Sequence, residues 1–357
     1  MRTARILYPG TAYYHVMSRV VDGNYIFGDE EKARFRHLMR GLEHLLGVRV
    51  LTYCIMSNHF HILVEVPDQD SLLPAEKVSD EELVSLVRPL YGEKEAERLR
   101  MELANCDDWG FEEKKVVIRN RFLDRRGKLD EFMKSLKQRF SQWYNRKMGR
   151  RGTLWEDRFK SVAVGNSEEA LLAMAAYIDL NPLRALMVND PAEYGYSGYG
   201  EAVGGNKKAR SGLAIALECR GEAATWKLVG REYRELLYGV GVERGQREDG
   251  SAIKPGFDHA EALKVIQGGG ELPLWKILRC RVRYMSDGAV FGSRRFVEEV
   301  FEQNRDRFGK TRKDGARLPK GRPRMGRLGG AAGSAFGSVW VESGASERAI
   351  RARAPVG

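Results

Sequence analysis

A chain of 357 residues is long enough for two domains, or for one domain with large insertions. Hydrophobic residues make up 43%, enough to supply a core. No run of about 18 apolar residues occurs, so no membrane-spanning helix is expected. The formal net charge of +11 favours a polyanionic partner, nucleic acid first.

Four cysteines, Cys54, Cys106, Cys219 and Cys280, lie far apart with no CxxC pair. That spacing argues against a zinc ribbon or redox motif and for reduced, buried thiols. Arg2 and Arg5 open the chain, but no apolar stretch follows that would make a signal peptide. A soluble, cytoplasmic protein is the expectation.

Ala12 to Val20 is predicted as a strand on its β-formers Tyr13, Tyr14, Val16 and Val20. From Asp29, Phe35, Leu38, Leu42, Leu45 and Leu46 recur at helical spacing until Gly47 ends the run. Val48 to Met56 and His59 to Val66 form a hairpin about Ser57-Asn58. Strand, helix, strand, strand opens a ferredoxin-like βαββαβ unit, an α+β fold with helices packed on an antiparallel sheet.

The missing helix and strand come after an interruption spanning about residues 68–128. Asp68 to Glu113 holds fourteen Asp and Glu against five Lys and Arg, and is predicted as a partly helical inserted lobe. Lys114 to Lys160 then holds sixteen Lys and Arg against five acids. Within it Phe132, Leu136, Phe140, Trp143 and Tyr144 mark a helix from about Asp130 to Met148. Arg158 to Val164 is expected to close the sheet, and Glu168 to Val188 to form a helix stopped or bent near Asn181-Pro182. Residues 1–198 are thus expected to be one catalytic domain. Residues 199–308 form a mainly helical extension, with helices at Leu213–Gly239, His259–Gln267 and Ser293–Phe308. Residues 309–357 form a basic tail without structure.

Two patterns carry chemistry. His59 and His61 stand at i and i+2 of a strand, so both imidazoles leave the same face. They are a natural pair of metal ligands, or simply two part-exposed strand histidines. Tyr177 and Asn181 stand at i and i+4 of a helix, one above the other. An amide oxygen there suits a metal, whereas a core tyrosine and an ordinary Asn-Pro stop would need no function.

Four blocks, in order, resemble the HUH single-tyrosine transposases, closest to the REP-associated tyrosine transposases and related insertion-sequence enzymes. They are Tyr14-His15-Val16-Met17-Ser18-Arg19; Tyr53 through Leu63, with His59-Phe60-His61 as the HUH triplet; Gly152 through Ser161, similar to a Gly-x-Leu-Trp-x-x-Arg-Phe-Lys-Ser block; and Tyr177-Ile178-x-x-Asn181-Pro182. Ser57 replaces a frequent Pro, and the interruption is longer than in compact members.

The resemblance implies the HUH fold and a Tyr177 nucleophile. It also implies Mg²⁺ or Mn²⁺ on His59, His61 and Asn181, and a 5′-phosphotyrosine intermediate in cleavage and strand transfer at hairpin-bearing DNA ends. Single-stranded or hairpin DNA is the expected partner, a homodimer is allowed, and a bacterial, nucleoid-associated location follows. Arg19, Lys134, Lys137, Arg139, Arg158 and Lys160 are the expected phosphate contacts, which position a strand without reading it. Trp143, Tyr144 and Trp155 are open to base stacking or to core packing. A catalytically inactive DNA-binding protein of the same fold is the first alternative, and a metal-dependent hydrolase using water the second.

Overall fold

The structure is a computed structural model that describes residues 10–188, 190–217, 225–241, 288–307, 325–329 and 337–341. In chain order it opens with β1 (Ala12–Arg19), α1 (Asp29–Leu46), β2 (Arg49–Ile55) and β3 (His59–Val66). Three helices of the insertion follow, α2 (Asp80–Tyr91), α3 (Glu93–Asp108) and α4 (Glu112–Leu123), then α5 (Leu129–Lys147) and β4 (Lys160–Val164). Next come α6 (Glu168–Asp179), α7 (Asn181–Arg184), α8 (Gly198–Val203), α9 (Lys207–Ala216) and α10 (Trp226–Gly241). The remaining described elements are β5 (Gly288–Ser293), α11 (Arg294–Gln303), β6 (Met325–Gly329) and β7 (Gly337–Val341). The expected βαββαβ order is therefore present, and the fold is α+β. Among the described residues, no helix is long and apolar enough to cross a membrane.

The chain divides into two compact units, one of residues 8–160 and 192–212, the other of residues 1–7, 161–191 and 213–357. The division runs through β4. Residues 192–212 fall in the first unit because they return to β2: Ser197 bridges Cys54, and Ile55 N–H donates to the Tyr196 carbonyl at 3.0 Å.

In the first unit β3 lies between β2 and β1, antiparallel to both. One sheet face carries Val16, Phe60, Ile62 and Val64, all fully buried. It meets α1 and α5 through Phe35, whose ring stands 4.6 Å from Phe60 and 5.3 Å from Phe140. α1 ends where predicted, because Gly47 adopts φ 69°, a left-handed C-cap that a side chain would resist, and returns its N–H to the Glu43 carbonyl. The inserted lobe is wholly helical over α2–α4. It starts with a reciprocal capping box between Ser79 and Glu82 and buries Leu83, Val84, Val87 and Leu90. Its acidic excess is a solvated surface over an apolar interior.

In the second unit β4 and β5 run parallel, as do β5 and β7, while β6 and β7 run antiparallel. The antiparallel sheet expected of the first domain is present in β1–β3, while the extension expected to be mainly helical also carries strands, in mixed pairing. The reason is local: Val290-Phe291 and Val339-Trp340-Val341 are β-formers inside segments expected to be helical or without structure. The last predicted helix is realised as α11, which buries Phe296, Val297, Val300 and Phe301. The helix expected at 259–267 lies outside the described residues, as do Cys219 and Cys280; Cys54 and Cys106 are buried free thiols.

Candidate active site

His59 and His61 open β3 and leave the sheet on the face away from Phe60. Their rings lie edge to face with centroids 5.1 Å apart. The turn before them fixes the first ring. Asn58 Nδ2 donates to the Gly23 carbonyl at 3.0 Å, which orients the amide so that Oδ1 meets His59 Nδ1 at 2.7 Å. An amide oxygen only accepts, so His59 carries its proton on Nδ1 and its lone pair on Nε2. Burial, assisted by the Arg19 guanidinium, pulls the His59 pKa down to about 4. The ring is therefore neutral at neutral pH, the form a metal requires.

His61 is buried, and its Nδ1 lies 2.9 Å from Nε2 of His15 on β1. The two rings stack with centroids 5.1 Å apart. The register explains the contact. Met17 is opposite His61 and His15 opposite Leu63, so His15 and His61 are diagonal neighbours on one face.

Tyr177 and Asn181 lie on α6 and the turn after it, in the other compact unit. Asn181 Nδ2 donates to the carbonyls of Tyr177 at 2.9 Å and Ile178 at 3.1 Å. The amide nitrogen thus caps α6 while Oδ1 is turned away from those carbonyls. Tyr177 is buried at 2% exposure, with the Arg184 guanidinium 5.3 Å from its ring centroid. The structure brings together the two histidines in one unit, and the tyrosine with the asparagine in the other. Among the described residues, no group of three or more His, Cys, Asp or Glu could hold a metal ion.

The expected phosphate contacts separate into two places. Arg19, at the end of β1, is exposed opposite His59. Its carbonyl accepts from Glu156 N–H, while Val20 bridges Trp155, so the Gly-Thr-Leu-Trp block is docked beside the histidines. Lys137 donates to the Asp157 carbonyl at 2.7 Å and lies over the Trp155 ring. Burial lowers its pKa to about 8, with the Asp157 carboxylate opposing. Arg158 and Lys160 are exposed just beyond.

Lys134 and Arg139 instead line a groove of about 770 Å³ along α4 and α5, with Arg121, Arg125 and Lys128. Sequence reasoning missed those three, although the basic run from Lys114 contained them. Arg125 and Lys134 are paired with Glu131, at 2.9 and 3.1 Å, which reduces the groove's positive field. Trp155 and Tyr144 are buried and serve the core; Trp155 Nε1 donates to Ser141 Oγ at 2.8 Å. Trp143 is half-buried beside Phe140.

Residues 10–74, which contain β1 to β3, match the family described as IS200-like transposases. A solved structure of a REP-associated tyrosine transposase bound to a REP hairpin is similar at 12% identity and a TM-score of 0.36. The match covers 57% of this chain and 87% of that one. No curated protein matches the chain.

Proposed function

We propose that this protein cleaves and rejoins single-stranded DNA, with Tyr177 as nucleophile and Mg²⁺ or Mn²⁺ held by His59, His61 and Asn181. The observation that carries the reading is the imidazole pair within the IS200-like segment, two rings on one face of β3 with centroids 5.1 Å apart and Nδ1 of each engaged. Mixed nitrogen and oxygen donors suit either ion. When bound, the ion supplies electrophilic polarisation of a phosphate oxygen.

Tyr177 Oη forms a bond to phosphorus as the bond from phosphorus to the 3′ oxygen breaks. The phenolic proton goes to solvent, and the leaving oxygen is released as a 3′-hydroxyl. A phenol titrates near about pH 10, so charge developing on Oη needs support. We assign that support to Arg184, whose guanidinium lies 5.3 Å from the ring centroid. The product is a 5′-phosphotyrosine ester of energy similar to the original diester, and attack by a 3′-hydroxyl reseals the strand without ATP. Tyr177 is covered in this structure, so binding must uncover it. The histidines it meets belong to its own chain or to a second copy. Arg19, Lys137, Arg158 and Lys160 hold the phosphates beside the histidines.

The test is incubation of the full chain with single-stranded hairpin DNA from the gene's own flanks, with Mn²⁺ or Mg²⁺. A protein–DNA adduct stable on a denaturing gel supports the reading. Binding without cleavage would leave a DNA-binding protein of the same fold. Cleavage without an adduct would make water the nucleophile.

A further inference from the structure

We infer that Asn58 and His15 are positioning residues that hold Nδ1 of His59 and of His61, Asn58 fixing the tautomer of His59 and His15 accepting from His61 once it is ligated, so that each ring binds a divalent ion through Nε2. The inference rests on the metal-assisted reading above and assigns work to two side chains outside the ligand set.

For His59 the chain of bonds has one direction. The Gly23 carbonyl accepts from Asn58 Nδ2, so Asn58 Oδ1 accepts from His59 Nδ1. Gly23 lies in the turn just after β1, and Val20 N–H donates to the Asn58 carbonyl at 2.9 Å. The same turn therefore holds both the backbone and the side chain of Asn58. Ligation through Nδ1 would break this contact; ligation through Nε2 preserves it.

For His61 the bond admits two directions, and metal ligation selects one. With Nε2 as the ligating atom, Nδ1 keeps the proton and donates it to His15 Nε2. His15 must then carry its own proton on Nδ1. A cation withdraws electron density from the ring it binds, which strengthens the Nδ1–H donor and the bond to His15. Both residues are buried, at 1% and 2% exposure, so neither ring can exchange this contact freely for water. A histidine ligand held at its second nitrogen by a neutral ring or an amide is more basic and better oriented, and loss of such a partner typically costs about 10- to 100-fold in metal affinity.

The experiment is calorimetric titration of the full chain with Mn²⁺, alongside ¹⁵N spectra of the imidazoles. His15→Phe keeps a stacked ring without an acceptor, and Asn58→Leu keeps the shape without the amide. Each should weaken Mn²⁺ binding by about 10- to 100-fold. His15→Gln and Asn58→Asp retain an acceptor and should recover most of the loss, which a purely structural role would not give. In the unaltered protein, His59 should appear as the Nδ1–H form.

Mn²⁺ binding that needs His59 and His61 yet is unchanged in His15→Phe and Asn58→Leu overturns the inference and leaves the metal reading standing. An Nε2–H form at His59 also overturns it, whatever the variants do. Absence of Mn²⁺ binding, or binding indifferent to both histidines, removes the metal reading and the inference together.

Discussion

Tyr233 donates its hydroxyl to Asp179 Oδ2 at 2.7 Å, and both side chains are wholly buried. Asp179 lies two residues after Tyr177, about 200° around α6, so α10 grips that helix on the side away from the phenol. Tyr233→Phe removes a donor from a buried carboxylate and should cost about 1–3 kcal/mol. Urea denaturation of the full chain should show an earlier transition. Below that transition the DNA adduct should still form. An unmoved midpoint would mean that this contact contributes nothing to stability.

Tyr177→Phe should abolish both cleavage and the covalent adduct while leaving DNA affinity near that of the unaltered protein. It deletes one hydroxyl and keeps the ring against Arg184, so folding should survive. Cleavage at the original rate would assign the nucleophile elsewhere.

His59→Ala and His61→Ala should each reduce adduct formation by orders of magnitude. Asn181→Ala should do less to metal affinity, since a neutral amide oxygen is a weaker ligand than imidazole. It should also loosen the end of α6, because two carbonyls lose their Nδ2 donor. Raising Mn²⁺ should rescue Asn181→Ala more fully than either histidine variant. Equal rescue of all three would place the metal on other groups.

Lys137 provides a pH signature for the DNA contacts. Burial holds its pKa at about 8, so the ammonium is charged below that value and increasingly neutral above it. Its contribution to DNA binding should be present at about pH 6.5 and mostly lost at about pH 9.5, a window set by depression from the ordinary lysine value. Lys137→Gln should therefore weaken single-strand binding and lower the salt slope by about 0.7 only on the acid side. A difference that persists equally at the higher pH would refute a charge-based role.

The parts of the fold carried by local periodicity were legible: β1 to β3, α1 with its stop at Gly47, and the apolar face of α5. His59 and His61 were legible for the same reason, because alternation along one strand is a two-residue pattern. His15 was not assigned a role, although it stood within a recognised block. Its neighbour is 46 residues away, and only the β1–β3 register makes them diagonal partners. The Asn58 hydrogen-bond chain was hidden likewise, since it needs the Gly23 carbonyl brought beside the hairpin turn. The return of residues 192–212 to β2 left no trace in spacing, because an edge pairing is written in backbone groups rather than side chains.

That return governs how the protein can be shortened. Gly198 and Gly212 lie so close to β2 that an added Cβ would stand 2.0 Å from Thr52 Oγ1 and 2.4 Å from the Leu51 carbonyl oxygen, while the Tyr194 hydroxyl donates to the Ile55 carbonyl at 2.7 Å. A fragment that stops after α6, or at the end of the family-matching segment, would strip this cover from the outer edge of the sheet. Uncovered edges recruit strands from neighbouring molecules, so such fragments should express as aggregates and mimic a catalytic defect. A soluble fragment has to run past Gly212.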